Sequence, residues 1–154
     1  MMSQKQKEMA MKKKIMRLLG TAMFCLIMVA NAVASDDGTV TDGNLVWLKN
    51  ANCFETQVWP TARDLAANLK SGSCGLRDGS TAGQWRLPTQ QELQSRQKNL
   101  QGFYGVRLNL NYYWSSSSFP GSMLDVWVVN MHDGHVLGLY KGTAAYVWPV
   151  RAVK

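Results

Sequence analysis

The sequence predicts an α+β domain, ordered as one strand, two helices and a C-terminal β-meander. Three observations carry that prediction. Thr89 and Glu92, within GQWRLPTQQEL, form T-x-x-E, the reciprocal capping box that opens a helix. Asp133-Gly134 separates two β-rich runs, Met123 to Met131 and Val136 to Lys141, which is a strong hairpin signal. Ala62, Leu65, Ala66 and Leu69 fall at helical spacing and mark an amphipathic helix ahead of the capping box.

Residues 1–34 read as a secretory leader outside this domain. Lys5 to Arg17 carries six basic residues against one acid, Glu8. An apolar run from Leu18 to Ala30 follows, and Ala32-Val33-Ala34 supplies a cleavage site before Ser35. The run is short of the roughly 20 residues that a membrane span needs, so no span is expected after cleavage. Cys25 lies in the context AMFC, which does not fit a lipidation site. The expected product is exported, to the periplasm or beyond. Residues 35–154 hold 11 Lys and Arg against 9 Asp and Glu, a net charge near +2 rather than the +7 of the whole chain. Nucleic-acid binding thereby loses its electrostatic support.

Each element has its own warrant. Ser35 to Gly43 is polar, with three Asp and two Gly, and reads as a flexible start to a single domain over 44–154. Asn44 to Leu48 (NLVWL) is apolar on both faces and reads as a well-covered strand. A loop over 50–57 carries Cys53. The first helix is expected from about Thr61 to Lys70, opened by Thr61 and Asp64 and stopped near Gly72. Cys53 and Cys74 are the two cysteines left after the leader, and in an exported chain they most simply form one disulfide. Residues 74–83 are a glycine-rich surface loop without nucleophile-elbow or phosphate-loop spacing. The second helix runs from the Thr89 cap to about Lys98 and lies at the surface, with Leu87 and Leu93 near the spacing of a hydrophobic staple.

In the last third, Tyr112 to Ser118 (YYWSSSS) reads as a strand. A two-residue turn at Asp133-Gly134 places His132 opposite His135 and Trp127 opposite Tyr140. One hairpin face then carries Val126, Val128 and Asn130, the other Trp127, Val129 and Met131. Two apolar faces imply a buried central hairpin, or one core face with an aromatic binding face. A final strand over about Ala145 to Val153 contains Pro149, which demands an edge or a bulge.

Candidate site residues divide by role. Trp85 and Arg86 read as structural, with bidentate capture of a ligand carboxylate or sulfate as the alternative for Arg86. Ser115 to Ser118 are strand serines, since a nucleophile needs an oriented base and the histidines lie beside the hairpin tip. His132 and His135, as a cross-strand pair, would lack the third and fourth ligands that zinc requires, so no metal and no cofactor is expected. Most of the aromatic residues should be core. Tyr113, Trp127, Asn130, His132, His135, Tyr140 and Lys141 are the candidate ligand contacts on the meander. Arg107 is a further charge available to an anionic ligand.

Five segments in order, NLVWL, CGLRDGS with AGQWRLPTQQEL, YYWSSSS, VWVVNMHDGHVLGLYK and YVWPVRAV, are together similar to one bacterial family. The chain resembles the Lcl C-terminal domain family, named for the C-terminal domain of a bacterial collagen-like adhesin and formerly a domain of unknown function. The resemblance covers nearly the whole mature chain. It implies a C-type-lectin-like fold, with two helices packed on a mainly antiparallel sheet, paired chain ends and a C-terminal meander beneath the ligand surface. It also implies that Trp85, Arg86, Thr89, Glu92 and Arg151 are motif residues. Ala152 stands where many members carry cysteine, and no collagen-like repeat precedes the domain. The calcium-site tripeptides of true C-type lectins are missing, as is a counterpart to the cysteine pair of formylglycine-generating enzymes, so neither chemistry carries over.

The expected function is therefore a non-catalytic, adhesin-like module that binds a glycan, anionic ones included, or a protein partner. A structural subunit of a surface assembly, with the chain oligomeric, is the second expectation. An enzyme built on His132, His135 or Asp125 is the third.

Overall fold

A computed structural model describes residues 4–9, 36–109 and 111–154. The chain divides into two compact units at Ser35/Asp36. In the first, residues 4–9 are helical; the expected leader core and its cleavage site fall outside the described residues. The second unit is an α+β domain with two helices and two mostly antiparallel sheets. Among the described residues no helix is long and apolar enough to cross a membrane.

The strands are β1 (Thr39–Asp42), β2 (Leu45–Leu48), β3 (Thr56–Val58), β4 (Tyr112–Ser118), β5 (Asp125–Asn130), β6 (Val136–Tyr140), β7 (Ala144–Tyr146) and β8 (Val150–Ala152). The helices are α1 (Trp59–Asn68) and α2 (Gln90–Gln97). One sheet has the order β1-β2-β8, the other β3-β7-β4-β5-β6. Within the larger sheet β4 and β7 run parallel, while the other pairs are antiparallel.

The polar start does not stay loose. Thr39 to Asp42 forms β1 on β2, and Lys49 Nζ holds Asp36 at 2.7 Å. β2 is buried along most of its length because β1 and β8 flank it on both sides. The first helix begins two residues earlier than expected. Pro60, whose fixed φ suits a first helical turn, opens it in place of a Thr61 cap, and it ends at Asn68. Its predicted stripe is real, with Ala62, Ala66 and Leu69 buried.

The final segment is two strands rather than one. β7 lies in the five-stranded sheet and β8 in the three-stranded sheet, with Val147 to Pro149 crossing between them. Pro149 cannot donate to a ladder, so the strand breaks there, while its carbonyl accepts the Leu48 N–H at 3.1 Å.

The core has two clusters. Trp148 lies in the first, its ring against Trp47 (5.2 Å), Phe103 (4.9 Å) and Tyr113 (5.7 Å), with its indole N–H donated to Leu48 O at 2.7 Å. The second sets Ala62 and Ala66 of α1 with Trp114, Val126, Val128 and Val147. Leu87 belongs to the second cluster and Leu93 to the first. Cys53 and Cys74 are joined, with Cα atoms 5.7 Å apart. That disulfide ties the loop after β2 to the turn that follows α1.

The hairpin register differs from the two-residue turn. Trp127 faces Gly138, and Tyr140 faces Asp125. Asn130 is the cause. Its buried Oδ1 accepts the His132 N–H at 2.7 Å and its carbonyl accepts the Gly134 N–H at 2.9 Å, which closes a four-residue loop at the Asn130–His135 pair. Gly134 takes φ +76°, the left-handed position that the loop requires. His132 and His135 are therefore not a cross-strand pair.

Candidate functional site

The charged and hydroxyl side chains of the WRLPT segment and its helix start satisfy one another, while the buried Trp85 indole N–H has no hydrogen-bond partner among the described residues. Thr89 Oγ1 accepts the Glu92 N–H at 3.2 Å, and Glu92 Oε2 accepts the Thr89 N–H at 2.7 Å. Arg86 then closes on both Glu92 oxygens at 2.8 Å each. The guanidinium bond, more than the backbone one, holds the Glu92 carboxyl below its ordinary range against the opposing effect of burial. Arg86 also exchanges two backbone hydrogen bonds of 2.9 Å with Val150 at the start of β8. The fork that would meet a ligand carboxylate already meets one from its own chain.

Trp85 and Arg151 belong to a second internal arrangement. Arg151 donates to Asp78 Oδ2 at 3.0 and 3.2 Å and sits 5.3 Å from the Trp85 ring centroid. The Asp78 side chain is 2% exposed, and Ser80 Oγ donates to it at 2.7 Å. Burial alone would raise the Asp78 carboxyl, but the Ser80 and Arg151 hydrogen bonds outweigh it and hold the group low.

The serine run also serves the fold. β4 and β5 slip register between Trp114 and Ser118, which releases the intervening residues from the ladder. Ser115 Oγ donates to Trp127 O at 2.6 Å, Ser116 binds Pro88 O through its N–H, and Ser117 Oγ accepts the Gln90 N–H at 3.0 Å. The bulge thus places serines at the start of α2.

The candidate ligand contacts do not converge. Tyr113 is fully buried, and its hydroxyl accepts the Arg107 N–H at 2.7 Å; burial pushes its pKa up to about 12. Asn130 is the buried loop former described above. These two are corrected from ligand contacts to core residues. Trp127 is half-buried beneath Phe119, with ring centroids 4.7 Å apart. Lys141 Nζ reaches Met123 O at 2.6 Å and lies 5.2 Å from the Trp59 ring, while Tyr140 remains 56% exposed. His132 and His135 are exposed at the opposite end of the hairpin, where His135 Nδ1 is 3.5 Å from Tyr112 Oη. Among the described residues no three His, Cys, Asp or Glu side chains are grouped to hold a metal ion.

What the fold does assemble is a cleft of about 360 Å³ between α2 and the hairpin tip. Gln91, Gln94, Ser95, Gln97 and Lys98 line one side, Asp133 and Gly134 the other. Gln94 Nε2 donates to Gly134 O at 3.3 Å and Gln97 Nε2 to His132 O at 3.1 Å, so two amides of α2 brace the loop. Gln91 and Ser95 stay exposed beside them. The signal for this cleft was the composition QQELQSRQ. Four glutamines in eight residues put paired donors and acceptors on a helix face where lysine and glutamate would be ordinary solvent cover.

The family model for the Lcl C-terminal domain matches residues 38–151. The chain belongs to that family. No curated protein matches it. The matched span of this Lcl C-terminal domain takes in the Arg86–Glu92 clamp, the Asp78–Arg151 pair and both sides of the cleft.

Proposed function

We propose that this Lcl C-terminal domain is an exported, non-catalytic binding module that recognises a glycan in the cleft between α2 and the hairpin tip. The amide-lined cleft is the observation that carries this reading. Gln94 and Gln97 are engaged in bracing the loop, and exposed Gln91 presents donor and acceptor together, which matches the hydroxyl groups of a sugar; exposed His132 and His135 flank Asp133 and Gly134 in the chain. Lys98 and Asp133 offset each other in charge, which favours a neutral or weakly charged glycan over a densely sulfated one. The adhesin for which the family is named and the family's lectin-like grouping support the same class. The Cys53–Cys74 disulfide fits an oxidising compartment.

The test is a glycan array probed with the disulfide-bonded protein at low and high salt. Binding to neutral glycans that persists in salt, and falls when exposed Gln91 and Ser95 are replaced by alanine, is the expected result. Silence from folded protein would sink the reading. A structural subunit of a surface assembly is the second reading, favoured by the exposure of Met123 (91%) and Leu124 (65%); co-purification of a stoichiometric partner that protects those two residues would support it.

A further inference from the structure

The two sheets have four outer strands, β1, β3, β6 and β8, and three of them are guarded. β1 carries Asp42, β3 is three residues long, and β8 meets the Arg86 backbone on its outer side. β6, Val136–Tyr140, has neither charge nor proline over five residues, the pattern that leaves an edge open to another strand.

The ladder shows which of its groups are free. Lys141 donates to Leu124 O and Asn130 donates to His135 O, so residues 135, 137, 139 and 141 bond inward to β5. Alternation then turns the N–H and C=O groups of Val136, Gly138 and Tyr140 outward. Among these the Tyr140 carbonyl is met by Thr143 N–H at 2.8 Å; the groups of Val136 and Gly138 have no partner among the described residues.

We propose that β6 pairs with β6 of a second copy of this chain, antiparallel about a two-fold axis at Gly138. The sequence VLGLY is self-complementary in that register. Gly138 faces Gly138, Val136 faces Tyr140, and Leu137 faces Leu139, each pair made twice as isologous symmetry requires. The outward groups meet as closely spaced hydrogen-bonded pairs, the Tyr140 carbonyl accepting the Val136 N–H of the second copy on the lone pair that Thr143 leaves open. Leu137 and Leu139, half-buried against the α1 side of the sheet, form a four-leucine cluster with their counterparts. On the other face Phe119 lies over Gly138 so closely that a Cβ there would come within 2.6 Å of its ring. The two Phe119 rings therefore flank a side-chain-free centre. The seam is narrow, below the roughly 1,200 Å² of stable complexes, so the association depends on concentration.

The test uses the naturally processed full-length product. Sedimentation across a concentration series is combined with amide hydrogen exchange at its two ends. The expected result is a mass rising toward twice the monomer, with Val136, Gly138 and Tyr140 amides protected only at the high end. Constant monomer mass, or protection appearing at β1 or β3 instead, would overturn the proposal. Tyr140→Lys, at a site already 56% exposed, should weaken association by about tenfold through the lost Val136 contact and the crowding of charge beside Lys141. Unchanged association in that folded variant would equally overturn it. Glycan binding has no part in either readout.

Discussion

The clamp at Arg86–Glu92 and the tip at Asn130–His135 are both rich in polar side chains, yet they spend them differently. At the clamp the charged donors and acceptors meet partners from their own chain. Arg86 meets Glu92, Glu92 meets the Thr89 backbone, and nearby Arg151 meets Asp78. At the tip, Asn130 and Asp133 bend the chain while His132 and His135 face solvent and α2 supplies braced amides alongside. A motif that is specific in sequence is thus the scaffold, and the less distinctive glutamine helix with its loop presents the open surface.

The contrast can be broken first at the buried pair. Asp78→Asn leaves Arg151 charged and nearly buried without its partner, and should cost about 3–5 kcal/mol in urea denaturation. Replacing Cys53 and Cys74 with serine releases a crosslink spanning 21 residues and should cost about 3 kcal/mol by the same measurement. Thr89→Ala removes one arm of the capping box and should cost about 1 kcal/mol. Acid sharpens the comparison further. Asp78 and Glu92 are both held low in the folded state, so their contribution is present above the ordinary carboxylate range. It is lost as pH falls through their depressed values, below about pH 4. Glu92→Gln should flatten that fall in a stability-versus-pH series. The smallest effect belongs to the tip: His132→Ala with His135→Ala should leave stability within about 0.5 kcal/mol while changing glycan binding. A large loss of stability there would erase the distinction between the two regions.

Much of the scaffold was legible because local chemistry decides it. The capping box, the α1 stripe, the YYWSSSS strand and the disulfide each follow from residues close in sequence or from cysteine arithmetic. The misreadings are places where distant partners decide. β1 is polar and became a strand because β2 offered it a ladder. Pro149 split one apparent strand between two sheets. At the hairpin, Asp-Gly pointed to a short turn, but the buried Asn130 side chain claimed the His132 amide and enlarged the loop. Tyr113 looked like a surface aromatic until Arg107 supplied a backbone donor inside the core. The cleft needed the fold itself, since α2 and the tip lie some 40 residues apart in sequence, the separation across which Gln94 reaches Gly134.

The pairing of β2 with β8 also has a kinetic consequence. Trp47 faces Val150, and the Trp148 indole reaches Leu48 across 100 residues. The smaller sheet cannot close until residue 150 and its neighbours are available, so loop-closure entropy must be met before its contacts form. A chain with this topology completes its smaller sheet only when its last strand arrives, so that sheet forms late in synthesis.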